Sequence, residues 1–368
     1  MNRGVRRRLL SLGVWPSLLD AADHVAWKLQ LFCVALLHLF FSSDKHWLQT
    51  ASNTTATATA CEASAKSTAL LLDPQVAAAV VTKRKRILFV RHAESEWNVV
   101  FNRGINLRML VSLLRAIVRE WLLFPTGDSV FLDSPLSRRG RFQAQSLHDH
   151  MCEALLCSNG DSECTANTQP SLGVHRHFPH QTEENTLLRY LCCPLPGSVV
   201  VTSNLRRTID TARIASASRL ERPNERIYVL SCLQEIGRNF DTLAISQPHT
   251  IQPEVLVQAL RGEKRHEELF NVAESHGNKA VLGSGRDRLM TFAQWVFKQQ
   301  KDVVVVYGHS LWFRAFCREF FPRGVHHEAK SAKLSNCGVV TFMLEEHSRG
   351  GGEAAQYSIQ PESFQHLI

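Results

Sequence analysis

At 368 residues, with 44% hydrophobic and 21% charged residues, the chain has enough apolar material for a buried core and is not a disordered polymer. A net charge of +8 suits an anionic ligand or surface, yet no basic and aromatic interleaving argues for nucleic acid. The ten cysteines form no C-x-x-C pair, which excludes the common zinc ribbons and reads as a set of reduced thiols.

Length sets the expectation of one catalytic domain of about 260 residues with appendages. Residues 1–82 read as an N-terminal targeting or anchor segment followed by a disordered linker. Arg3, Arg6, Arg7 and Arg8 precede an apolar stretch, Leu29 to Phe41, interrupted by Gln30 and His38. That stretch is shorter than the ~20 residues that span a bilayer, and extending it to Val25 takes in Lys28. It is read as a signal anchor, a mitochondrial-type targeting segment or an ordinary amphipathic helix. The expectation for location is a membrane anchor with a cytoplasmic catalytic domain, the alternatives being mitochondrial or soluble cytoplasmic. The Ala/Thr/Ser-rich run from Thr50 to Thr68 is read as linker.

The catalytic domain is expected over residues 83–346. Lys83-Arg84-Lys85-Arg86 is a solvated entry to a buried strand, Ile87-Leu88-Phe89-Val90. The strand ends in Arg91-His92-Ala93-Glu94-Ser95-Glu96-Trp97-Asn98. An arginine and a histidine at a strand tip can hold a phosphate and attack it: the guanidinium is a planar fork for phosphate oxygens, and neutral imidazole is a nucleophile near pH 7. Leu107 to Phe124 is apolar, with Arg108, Arg115 and Arg119 at helical spacing. It is read as a helix packed on the sheet, the alternative being a membrane-facing helix. Ser134 to Ala144 reads as a turn and helix start, and Cys157 to Glu184 as a polar surface loop.

A second buried strand, Val199 to Thr202, runs into Ser203-Asn204-Leu205-Arg206-Arg207-Thr208. A third, Ile227 to Cys232, precedes Leu233-Gln234-Glu235. Ile251 to Phe270 has helical character, and its Arg261, Lys264, Arg265 and His266 are read as a solvated face. A helix over 286–298 should pack beside the strand Val303 to Tyr307, which ends in Gly308-His309-Ser310. Leu334-Ser335-Asn336-Cys337 leads into a last strand, Val339 to Phe342, and residues 347–368 are read as a C-terminal tail.

Taken together and in this order, these segments resemble the histidine phosphatase superfamily, in its phosphoglycerate mutase-like branch. The resemblance covers roughly Lys83 to Glu346 and implies a three-layer α/β/α sandwich with a mostly parallel central sheet and helical lid inserts. It implies that His92 is the nucleophile, that His309 is a second histidine on the phosphate, and that Glu235 sits at the acid position. Counting along the S-x-L-x-R pattern puts the second phosphate-clamping arginine at Arg207 and leaves Arg206 on a variable position. Arg91, Asn98, Arg207 and His309 are thus the expected phosphate-binding residues, and His92, Glu235 and His309 the expected catalytic ones. No metal and no cofactor are implied. Glu94 is read as orienting the nucleophile's neighbours, and Asn336 as structural.

These residue types fit the chemistry. A phosphate dianion repels an electron-rich nucleophile until fixed positive charge offsets it, here from Arg91, Arg207 and a protonated His309. An alcohol leaves poorly as alkoxide, so Glu235 must carry a proton, which requires a raised pKa. The substrate class is a small-molecule or protein phosphate monoester. Two departures bear on function: Ala93 replaces the commoner glycine, and the extended mutase segments after Asn98 and around Glu235 are missing. Hydrolysis is therefore favoured over a mutase-type phosphotransfer, and a weakly active membrane-linked scaffold is the alternative from another class.

Overall fold

The structure, a computed structural model, describes residues 18–45, 80–101, 104, 106–158, 183–251, 266–348 and 355–368. The arginine-rich start, the 50–68 linker, most of the 157–184 loop, and Arg261, Lys264 and Arg265 lie outside the described residues.

Seven strands form one sheet: β1 Val80–Arg91, β2 Ser198–Ser203, β3 Ile227–Leu230, β4 Phe270–Asn271, β5 Val303–Gly308, β6 Val339–Ser348 and β7 Gln356–His366. Their order is β4-β3-β2-β5-β1-β6-β7. The first five in that order are parallel, β6 pairs antiparallel with β1, and β7 pairs antiparallel with β6. Valine-rich β2 and β5 are buried throughout, as expected of central parallel strands covered on both faces.

Alternate residues of these strands feed two cores. Leu88, Val90, Val200 and Val305 face a core shared with helices α4 Arg138–Ser158, α5 Glu183–Cys192 and α6 Arg206–Ala215. Ile87, Phe89, Val201, Val304 and Val306 face the other core, with helices α7 Gly285–Lys298 and α8 Ser310–Phe320. The period-2 alternation of a strand thus yields the three layers expected from the sequence. Cys33, Cys152, Cys192, Cys193, Cys232, Cys317 and Cys337 are free thiols.

Three sequence expectations change. First, residues 347–368 do not form a loose tail: β6 extends to Ser348, and β7 pairs with it through seven registered positions as the sheet's edge. β1 likewise begins at Val80, opposite Ser348.

Second, helix α1 (Leu18–Phe41) packs on the catalytic domain, so the boundary at 82 cuts through a contact. Leu31 and Ala35 are buried against Leu132, Leu243 and Ile245. The Trp27 indole donates to Ile245 O (2.8 Å), Lys28 Nζ donates to Leu123 O (2.6 Å), and Asp44 is buried in ion pairs with Lys279 and Arg288. Of the polar residues that weakened the reading of a membrane span, Lys28 and His38 find partners here, His38 Nε2 lying 3.2 Å from Lys279 O. This helix is the one described element long and apolar enough to cross a membrane.

Third, the apolar helix α3 (Leu107–Leu123) is not covered by the sheet. Only Ala116 in it is buried, and Leu107, Leu114, Trp121 and Leu122 stand well exposed. It is joined instead to α2 (Glu96–Phe101), through the Arg119–Glu96 ion pair (3.5 Å).

Candidate active site

β1 and β5 are hydrogen-bonded neighbours with Arg91 level with Gly308. The residue after each tip is a histidine, so topology alone brings His92 and His309 together, their ring centroids 5.2 Å apart. Gly308 is required here: a Cβ would lie 2.7 Å from the Phe89 ring. The His92 backbone N–H donates to Gly308 O (3.0 Å), and Asn336 Nδ2 donates to His92 O (2.9 Å), which fixes the His92 backbone from two sides.

The His92 ring is oriented by its own loop. Nδ1 lies 2.6 Å from Ala93 O. A carbonyl can only accept, so Nδ1 carries the hydrogen and Nε2 keeps its lone pair for attack. Burial, then Arg207 and Arg91, hold this imidazole well below its ordinary pKa, so it is neutral at pH 7. The Ala93 N–H donates to Thr211 Oγ1, whose hydroxyl donates to Arg207 O, which ties the nucleophile loop to α6.

Helix α4 starts against the same loop. Ser137 Oγ donates to Glu94 Oε2 (3.0 Å), and the Glu94 N–H donates to Gln143 Oε1 (2.9 Å). A Cβ on Gly140 would sit 2.0 Å from Glu94 O. The serine, glycine and glutamine of the P-L-S-x-x-G-x-x-Q segment thus act together to hold the backbone just after the nucleophile.

The two adjacent arginines separate cleanly. Arg206 spends its guanidinium on the loop before α4: it donates to Asp128, Ser129 O and Asp133 O. Arg207 instead donates from Nη1 to Asp241 O (2.6 Å), with Nη2 3.6 Å from Asp241 Oδ2. It is Arg207 whose charge acts on His92, His309 and Glu235. Arg91 donates to Leu334 O. Burial lowers its pKa to about 10, which leaves it charged, and its Nε is buried without a partner.

Glu235 is buried at the N-terminus of α8. Its Oε1 accepts from the Trp312 N–H (2.8 Å) and the Ile236 N–H (2.9 Å), while Oε2 receives only a long bond from the Leu311 N–H (3.4 Å). Burial pushes its pKa up against the lowering pull of Arg207 and of those two amides. Oε2 is the oxygen free to hold a proton.

His309 departs from expectation. It is fully buried, both ring nitrogens lack a partner, and burial together with Arg207, His92, Lys279 and Arg91 holds its pKa well below normal. Without a bound anion the neutral ring is favoured, first because burial disfavours the charged form and then because cations surround it. A phosphate dianion bound among those cations would pull the other way. Asn98 is turned toward its loop: its Oδ1 accepts from Ser95 N (3.2 Å) and Ser95 Oγ (3.0 Å), which leaves the amide NH₂ as its donor.

Sequence reasoning missed Lys279 and Asp44. Lys279 Nζ donates to Glu235 O (2.7 Å), Gly237 O (2.7 Å) and Asp44 Oδ2 (3.0 Å). Burial lowers its pKa to about 8 against the pull of Asp44. Neither residue sits in a recognisable motif; the pairing spans 235 positions and has no local signature. Among the described residues, no group of three or more His, Cys, Asp or Glu is placed to hold a metal.

His92, His309, Arg91 and Arg207 lie near the strand tips of an open α/β sheet, the edge at which such sheets place their ligands. Residues 185–351 match the family model of the histidine phosphatase superfamily (branch 1). The matched stretch takes in Arg207, Glu235 and His309 and begins after Arg91-His92. The comparison with curated proteins gives no match.

Among solved structures, a mycobacterial glucosyl-3-phosphoglycerate phosphatase aligns at 13% identity over 75% of this chain and 97% of its own, with a TM-score of 0.33. A putative alpha-ribazole-5'-P phosphatase from Escherichia coli aligns at 14% identity over 75% of this chain and 95% of its own, with a TM-score of 0.31. A phosphoserine phosphatase from Entamoeba histolytica, solved with 3-phosphoglyceric acid, aligns at 15% identity over 70% and 89%, with a TM-score of 0.30.

Proposed function

We propose that the protein is a metal-independent phosphate monoester hydrolase that works through a phosphohistidine on His92. The observation that carries this reading is the His92 ring itself. It is neutral, with Nδ1–H engaged by Ala93 O, and Nε2 is left in the crevice with His309 and the arginines.

In the proposed cycle the substrate phosphate lies among Arg91, Arg207, His309 and the Asn98 amide. Nε2 of His92 attacks phosphorus as the P–O bond to the alcohol breaks. The proton on Glu235 Oε2 passes to the departing oxygen. Glu235, now a carboxylate, takes a proton from water. The resulting hydroxide attacks phosphorus, the P–N bond breaks, and inorganic phosphate leaves with His92 neutral again. Arg91 and Arg207 balance the charge that builds on the equatorial oxygens.

The test is hydrolysis of an aryl phosphate by the full chain with EDTA present, beside His92→Ala. Turnover that survives chelation and disappears in the variant supports the reading. Equal rates in the two proteins would assign the activity to another nucleophile or a contaminant.

A further inference from the structure

A cavity of about 760 Å³ lies between α1 and α3, and its wall is almost wholly apolar. Phe32, Phe101, Leu113, Ile117, Trp121 and Phe240 do most of the lining. The two charged residues that border it are engaged elsewhere: Lys28 donates to Leu123 O, and Glu120 Oε2 accepts from Ser129 Oγ (2.9 Å) and the Val130 N–H (2.6 Å). The volume falls in the range of roughly 300–1,000 Å³ typical of small-molecule sites.

Two lining residues are chain neighbours of the candidate phosphate site. Phe240 is followed by Asp241, whose carbonyl accepts from Arg207. Trp97, also a lining residue, lies five positions after His92, and its N–H donates to Ser134 Oγ (2.8 Å). The cavity wall and the anion site of buried arginines are therefore built from directly consecutive residues of the chain, Trp97 beside Asn98 and Phe240 beside Asp241. Outside the cavity the apolar character continues over Leu114 and Leu122 of α3.

We infer that the substrate is an amphiphilic phosphate monoester whose hydrocarbon chain lies in the α1–α3 cavity while its phosphate sits at Arg91, Arg207 and His309; this rests on the phosphatase reading above. Head and tail recognition explain each other. The charged crevice alone accepts any small phosphate, and the cavity alone accepts any apolar body; their adjacency selects a molecule that carries both. The inference also gives the N-terminal helix a role, because α1 supplies one wall of the cavity.

The experiment uses the full chain and two non-hydrolysable probes, butylphosphonate and dodecylphosphonate, titrated calorimetrically at concentrations where neither forms micelles. Each methylene moved from water into an apolar cavity is worth about fourfold in affinity. After the cost of ordering the chain, the dodecyl probe should bind about a hundredfold or more tighter than the butyl probe. Inorganic phosphate should compete with both. Phe32→Gln/Ile117→Gln should shrink the gap at least about tenfold by leaving amides against the buried chain, with inorganic phosphate affinity, which involves no hydrocarbon, unchanged as the control for folding.

Equal affinities, a gap untouched by the double variant, or dodecylphosphonate binding that ignores inorganic phosphate would each overturn the inference. Chain-length-dependent binding without turnover of dodecyl phosphate would uphold the cavity and overturn the hydrolase reading. Turnover of small phosphates with no chain-length preference would do the reverse.

Discussion

Replacing Asp44 by alanine is the sharpest way to ask whether the N-terminal segment belongs to the folded domain. Asp44 is 2% exposed and meets Lys279 Nζ at 3.0 Å and Arg288 Nη2 at 2.6 Å. Burial acts to raise its pKa, but the two cations outweigh it and hold the carboxyl below its ordinary value. Removing one partner of a buried ion pair leaves the other charge without compensation, at a cost of about 3–5 kcal/mol. For a domain of this order, where 1 kcal/mol moves the midpoint by roughly 2–4 °C, that is a fall in Tm of roughly 6–20 °C.

The pH dependence has a definite sign. Asp44, with a lowered folded pKa, stabilises above its unfolded pKa, so the effect of the substitution fades in acid. Lys279 has a folded pKa of about 8, and without Asp44 it falls further. The variant's folded state then sheds this proton at a lower pH than the wild type does, so its stability recovers earlier as pH rises. The loss should be largest near pH 6 and shrink toward pH 8, leaving the part due to Arg288. Thermal and urea unfolding followed by circular dichroism at both pH values measures it, and Asp44→Ala/Lys279→Met should recover part of the loss. A change under about 1 kcal/mol at pH 6, the range of exposed ion pairs, would refute the docked placement of residues 18–45.

Two further outcomes follow from the site. Gly140→Ala would force a methyl to within 2.0 Å of Glu94 O, a backbone atom that cannot swing aside. It should lower stability by about 2 kcal/mol or more and reduce kcat, as read from denaturation and initial rates together. Because burial raises the pKa of Glu235, its proton should be lost on the alkaline side of the profile, so kcat for an alkyl phosphate should fall as pH rises through that value. His92, with its lowered pKa, stays neutral well into acid and leaves the acid limb shallow. Glu235→Gln should remove the alkaline limb and slow an alkyl phosphate by about 10²–10⁴-fold, and an aryl phosphate far less, since a phenolate leaves without a proton. An equal loss on both substrates would remove Glu235 from the acid role.

The strand tips were legible because the signal is local. Val303 to Tyr307 and Val199 to Thr202 are short β-branched runs that end at glycine or serine, and a parallel sheet then carries whatever follows each run to the same edge. Pattern counting chose Arg207 over Arg206, and the structure supplies a physical distinction in the Asp128–Asp133 contacts of Arg206. β7 was missed because it alternates polar residues and contains Pro361, which an edge strand tolerates and a central one does not. Helix α3 was assigned to the core because its composition is apolar; composition says that a face avoids water, not what covers it. Asp44 and Lys279 were invisible because a buried ion pair between distant segments is a property of the assembled fold. The charge state of His309 was not legible for a similar reason, since it depends on the burial the fold imposes and on which charges it gathers around the ring.

The central claim is that phosphate passes through His92, and trapping tests it most directly. The full chain is mixed with excess phosphate monoester in EDTA, quenched within the steady state into denaturant at alkaline pH, where phosphohistidine survives, and its peptides are weighed. The account predicts one added phosphoryl group on the peptide that contains His92, absent in His92→Ala and accumulating in proteins whose hydrolysis step is slowed. Turnover with no phosphoryl group on His92 at any quench time, or with the label on another residue, would contradict it.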